Sequence, residues 1–89
     1  MAAFLRRNEL PEHRLGVTAS VKAIGKSVDR TRAKRLLREL FRRNTSELER
    51  LGQHYDWVLN AKRPLLEASE ELRFAEFRKM IARVGQAEG

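Results

Sequence analysis

Between Arg14 and Lys22 the chain alternates strictly. RLGVTASVK puts Leu15, Val17, Ala19 and Val21 on one side and Gly16, Thr18, Ser20 and Lys22 on the other. Successive side chains of a strand point to opposite faces, so a period of two predicts a half-buried strand here. Upstream, AFLRR predicts a partner strand, and NELPEH, with Asn8 and Pro11, supplies the turn that would close a hairpin between the two. After Gly25 the period lengthens to that of a helix. Ala33, Leu36, Leu37, Leu40 and Phe41 share one face of a helix starting near Ser27, which reads as its N-cap, with Asp29 in the first turn. Ser46 and Glu49 have capping-box spacing, predicting a second helical stretch that turns Leu48 and Leu51 inward and ends at Gly52.

Alternation returns in YDWVLNAK, residues 55–62. Tyr55, Trp57, Leu59 and Ala61 oppose Val58, and Pro64 stops the strand. From Ser69 to Val84, Leu72, Phe74, Phe77, Ile81 and Val84 recur at helical spacing, with Glu70 and Glu71 in the first turn; the tail, residues 85–89, is expected to fray. The predicted order is strand, strand, helix, strand, helix. Such an order gives an α+β fold, a small mixed sheet packed by helices in a single domain over residues 1–89.

Eighty-nine residues bury only a modest core. Cysteine is absent, which excludes disulfides and thiolate metal sites and suits a reducing cytoplasm. No apolar run approaches the roughly 20 residues of a membrane span, and MAAFLRRNEL has no secretory apolar core. A soluble, cytoplasmic protein with no membrane partner is expected.

A catalytic constellation is hard to assemble. His13 lies in a predicted turn and His54 ahead of a strand, and neither has a second ligand at metal-binding spacing. Gly25-Lys26-Ser27 at a helix start invites comparison with a phosphate-binding loop. That motif requires a glycine five residues before Gly25, where Ser20 stands. Phe41, Phe74 and Phe77 lie on apolar helical faces, and Tyr55 and Trp57 share a strand face with Leu59, so packing is favoured over base stacking; Phe4 is open to either role.

Charge changes the picture. Residues 22–43 hold nine basic side chains (Lys22, Lys26, Arg30, Arg32, Lys34, Arg35, Arg38, Arg42, Arg43) against Asp29 and Glu39, a surplus of seven that equals the net charge of the whole chain, +7. The other residues carry ten of each sign. One-signed charge on a quarter of the sequence draws a polyanion to one surface. Glu39 alone is spaced to pair along the helix, with Arg35 and Arg43, so most of these cations lack local partners. Arginine outnumbers lysine, as suits bidentate phosphate recognition. Nucleic acid is the expected partner. A general, ribosome-associated nucleic-acid-binding module fits this reading; a stand-alone nuclease lacks a nameable general base.

RLGVTASVKAIGKSVDRTRAKRLLRELFRRN followed by YDWVLNAKRP resembles the bacterial ribonuclease P protein component, whose signature joins a glycine-valine strand, a KxxGxAVxRNRxKRxxRE helix and an apolar strand ending in A-R-x-P. The likeness spans roughly Phe4 to Val84. It implies a ribosomal protein S5 domain 2-like fold with a left-handed βαβ crossover, and an RNA-binding subunit with no active site of its own. The partners implied are a catalytic RNA and precursor tRNA, whose 5′ leader the RNA removes with magnesium that the RNA holds; no small-molecule substrate and no protein-bound metal are expected. The motif falls on Arg30, Arg32, Lys34, Arg35 and Arg38. Lys22 matches the strand lysine and Lys26 follows the glycine, while helical spacing sets Arg42, with Arg32, Arg35, Arg38 and Arg43, on the side opposite the apolar stripe. Thr31 stands at the family's asparagine, and SVKAIGKS is one residue longer than the usual loop, with Val21 at a lysine. Met1 aligns near the start of the family's second strand, so the resemblance implies that the family's first strand and its N-terminal helix, which walls the cleft for the substrate leader, are missing here.

Overall fold

The structure, a computed structural model, describes residues 1–88. Its elements are β1 (Ala2–Asn8), β2 (Arg14–Thr18), α1 (Val21–Ile24), α2 (Ser27–Arg42), α3 (Thr45–Glu49), β3 (His54–Asn60), α4 (Arg63–Glu67) and α5 (Glu70–Glu88). They form the expected α+β arrangement, with helices packed on a three-stranded mixed sheet.

The hairpin predicted between the first two strands does not form. The sheet order is β1-β3-β2, with β3 antiparallel to β1 and parallel to β2. β3 carries Trp57 and Leu59, both fully buried, and the central position covers such side chains from two sides. Asp56 fastens both neighbours. It accepts the Arg14 guanidinium through both oxygens at 2.7 Å and the Asn8 amide at 2.9 Å. Parallel pairing of β2 with β3 demands a long crossover, and residues 19–53, containing α1, α2 and α3, supply it.

β2 is also shorter than the alternation predicts. Ser20 leaves the strand and its hydroxyl accepts the Ala23 N–H at 3.0 Å, starting the single turn of α1. Val21, placed inward by the alternation, is therefore 64% exposed. At Gly25 the backbone takes φ 94°, a conformation disfavoured for side chains with a Cβ, and the chain bends from α1 into α2.

Ala33, Leu37 and Leu40 of α2 are buried, with Leu36 and Phe41 half-buried, as the spacing requires. Ala33, Leu37 and Leu40 join Trp57, Leu59, Phe77 and Ile81 in one core, with Phe41 packed against it. The Trp57 and Phe77 rings lie 5.6 Å apart, edge to face, and Phe41 approaches both. Lys26, not Ser27, occupies the N-cap position of α2, without a side-chain capping bond. Nor does the capping box form in α3, whose N-cap is Asn44. Asn44 is buried and turned to α2 and α5 instead: its amide donates to the Leu40 carbonyl at 2.7 Å and its oxygen accepts from Arg78 Nε at 3.1 Å. β3 stops at Asn60, two residues short of the predicted end, and Pro64 sits in the first turn of α4, where a missing N–H costs nothing.

α5 starts as expected after Ser69, whose hydroxyl accepts the Leu72 N–H. Leu72 itself is 63% exposed, against the prediction. Residues 85–88 continue the helix past Val84, while Gly89 lies outside the described residues. Glu88 accounts for this. Its carboxylate accepts the Gly52 and Gln53 N–H groups at 2.9 and 3.0 Å and the Tyr55 hydroxyl at 2.5 Å, pinning the helix end to the α3–β3 loop.

Candidate nucleic-acid interface

α2 rests its apolar stripe on the sheet, which leaves its other side to solvent. Arg32, Arg35, Arg38 and Arg42 are exposed there, while Lys34 is half-buried at the border. Lys22 is exposed too, but on α1 rather than on the strand where alternation placed it. Lys26 stands exposed in the elbow between the two helices. Arg30 is half-buried and its Nε donates to the Gly25 carbonyl at 3.2 Å, so this guanidinium braces the elbow as well as adding charge.

The ion pairs of the described residues sort the cations into two groups. Arg14 binds Asp56, Arg50 binds Glu47, and Arg63 reaches Asp29 at 3.2 Å while also donating to the Ile24 carbonyl. Arg43 is claimed by both Glu39 and Glu70 and lies over the Phe74 ring, with its carbon 4.8 Å from the ring centre. Arg43 thus belongs to the α2–α5 junction and not to the open flank. Among the described residues, none of Lys22, Lys26, Arg30, Arg32, Lys34, Arg35, Arg38 and Arg42 forms an ion pair with a carboxylate. Eight cations without carboxylate partners among the described residues, six of them on the 16-residue α2 and one at its N-cap, repel one another, and an approaching chain of phosphates relieves that repulsion.

Two carboxylates elsewhere, Asp56 and Glu88, are held for structural work. The hydrogen bonds of Arg14 and then Asn8 keep the Asp56 carboxyl well below the usual carboxylate range, and Arg14 is correspondingly raised. The Glu88 carboxyl is lowered chiefly by the Tyr55 hydroxyl and then by the Gly52 N–H. Burial, followed by the hydrogen bond to Glu88, pushes Tyr55 up to about 12.

His13 has both ring nitrogens engaged. Nδ1 accepts from the Tyr55 backbone N–H at 3.0 Å and from the Trp57 indole at 3.1 Å, and Nε2 lies 3.2 Å from the Leu48 carbonyl. It is a structural bridge between β3 and α3. No group of three or more His, Asp or Glu is placed to hold a metal among the described residues. No helix of the described chain is long and apolar enough to cross a membrane. The sheet face turned away from the helices bears Phe4, 60% exposed, beside Val58 and below Arg6, Arg14 and Asp56.

Comparison with known proteins adds an independent line. A family described as Ribonuclease P matches residues 1–85. The chain is 36% identical over 81 residues to the ribonuclease P protein component of Fusobacterium nucleatum, covering 91% of this chain and 69% of the relative. Against that of Vibrio campbellii it is 37% identical over 81 residues, covering 91% and 65%. It therefore spans about two thirds of the length of these curated relatives. Among solved structures, the RNase P protein of Staphylococcus aureus superposes with a TM-score of 0.68 at 27% identity, covering 92% of this chain and 73% of that one. The RNase P protein of Thermotoga maritima gives 0.66 at 30% identity, covering 98% and 76%.

Proposed function

The chain belongs to the ribonuclease P protein family, and from that premise we propose that it is the RNA-binding subunit of a bacterial ribonuclease P, assisting a catalytic RNA in removing the 5′ leader of precursor tRNA in the cytoplasm. The supporting observation is the set of cations without carboxylate partners at Lys22, Lys26, Arg30, Arg32, Lys34, Arg35, Arg38 and Arg42, six of them on α2, whose apolar side is locked into the core, with Lys26 at its start and Lys22 on α1. Its work is electrostatic. Two RNAs brought together repel through their phosphates, and cations fixed on a rigid helix lower that repulsion without having to be ordered on binding. With that repulsion lowered, the RNA would hold the magnesium that hydrolysis uses at a lower metal concentration. The protein contributes positioning and charge, and the bond-breaking groups belong to the RNA.

The test is cleavage of precursor tRNA by the catalytic RNA at limiting magnesium, with and without this chain. The expected result is faster cleavage with the protein, and a smaller gain with the Arg32→Ala, Arg35→Ala double variant. RNA binding without any change in cleavage would reduce the chain to a general nucleic-acid-binding module.

A further inference from the structure

Val28 interrupts the cationic flank. It is 73% exposed, the most exposed of the large apolar side chains. A scattered surface valine is ordinary; this one has particular neighbours. Val28, Thr31, Arg32 and Arg35 follow the i, i+3, i+4, i+7 spacing of a single helical stripe, and with Ser27 and Asp29 they line one shallow recess. The valine and the threonine methyl offer an apolar floor. Arg32 and Arg35, both without ion pairs among the described residues, rise beside it. The one carboxylate at the rim, Asp29, is paired with Arg63.

Paired RNA shows such a surface its phosphates and riboses, and cations are enough to meet them. An apolar patch gains only where it covers an apolar face, and in RNA that face is the plane of a base that has left its helical stack. A guanidinium alongside can lie flat on the same base or hold its phosphate. We infer that the Val28–Thr31 recess receives an unpaired nucleotide of the partner RNA, with Arg32 and Arg35 holding it from the side. This rests on the RNA-binding reading above and narrows it from backbone contact to recognition of a single-stranded or bulged position.

The experiment compares affinity and salt dependence for the catalytic RNA and for a fully paired 20-mer RNA duplex. Val28 is exposed and β-branched, so Val28→Ser leaves the fold intact, which the melting curve verifies. Val28→Ser should weaken binding to the catalytic RNA roughly three- to tenfold, with an unchanged salt slope and unchanged duplex binding. Val28→Ile should restore the wild-type value. Equal loss on both RNAs, or no loss on either, overturns the inference. Arg32→Ala serves as the separate arm: if it leaves binding and salt slope untouched on both RNAs, the RNA-binding reading itself fails, whereas a loss there beside an inert Val28→Ser removes only the recess.

Discussion

Glu88 and Tyr55 show how single residues hold this fold where no sequence pattern points to them. The carboxylate closes the α3–β3 loop and the phenol hydroxyl donates to it, so ionising Tyr55 would set a phenolate against a carboxylate. Its raised pKa means that the associated stability is fully present below the unfolded value of about 10 and is lost as pH rises through about 12. Tyr55 is the single tyrosine, which makes the test direct. Phenolate absorbance of the native protein should titrate with a midpoint near 12, and Glu88→Gln should bring it down toward 10. An unmoved midpoint in that variant would mean that burial alone sets the shift. Neither this contact nor those of His13 and Asn44 could be read from the sequence, because each spans more than 30 residues except the short Asn44–Leu40 bond and depends on which elements become neighbours.

Elements long enough to show a period were legible. α2, β3 and the first four turns of α5 lie near where their apolar spacing puts them, because packing against one sheet face imposes that spacing on the sequence. α1 and α4, of four and five residues, are too short to show it. Strand pairing was equally hidden: alternation says which side of a strand is buried and nothing about its neighbour, so a hairpin and the observed β1-β3-β2 order fit the same pattern. The two-sided character of α2 can be tested by comparing its faces. Leu40→Ala, at a buried position in contact with the core, should lower stability by about 2 to 5 kcal/mol. Arg38→Ala, on the exposed side with no ion pair among the described residues, should leave thermal unfolding nearly unchanged and act on RNA binding instead. Comparable melting shifts in the two variants would mean that the helix is not seated as described.

For the whole molecule, the decisive property is how positive charge is distributed rather than how much there is. Arg32, Arg35, Arg38 and Arg42 were nameable from sequence because helical geometry separates them from the apolar stripe, with Lys34 at its border, whereas Lys22, Lys26 and Arg30 were named through the resemblance to the family motif. Which cations are free was not, since Arg14 and Arg63 meet Asp56 and Asp29, and Arg43 meets Glu70, only in the folded chain. That division makes two kinds of arginine substitution experimentally distinct, although both remove one charge from a net +7. If the α2 flank meets phosphates directly, Arg32→Ala or Lys34→Ala should lower affinity for the catalytic RNA and reduce the slope of log K against log salt by about 1, as one condensed counterion fewer is released. Arg50→Ala removes a cation already paired with Glu47, at 3.4 Å on the short helix α3, and should leave the slope close to that of the wild type. Binding governed by total charge alone would make the three variants alike. Separation of the first two from the third, measured in one buffer series, ties the affinity to the face of one helix.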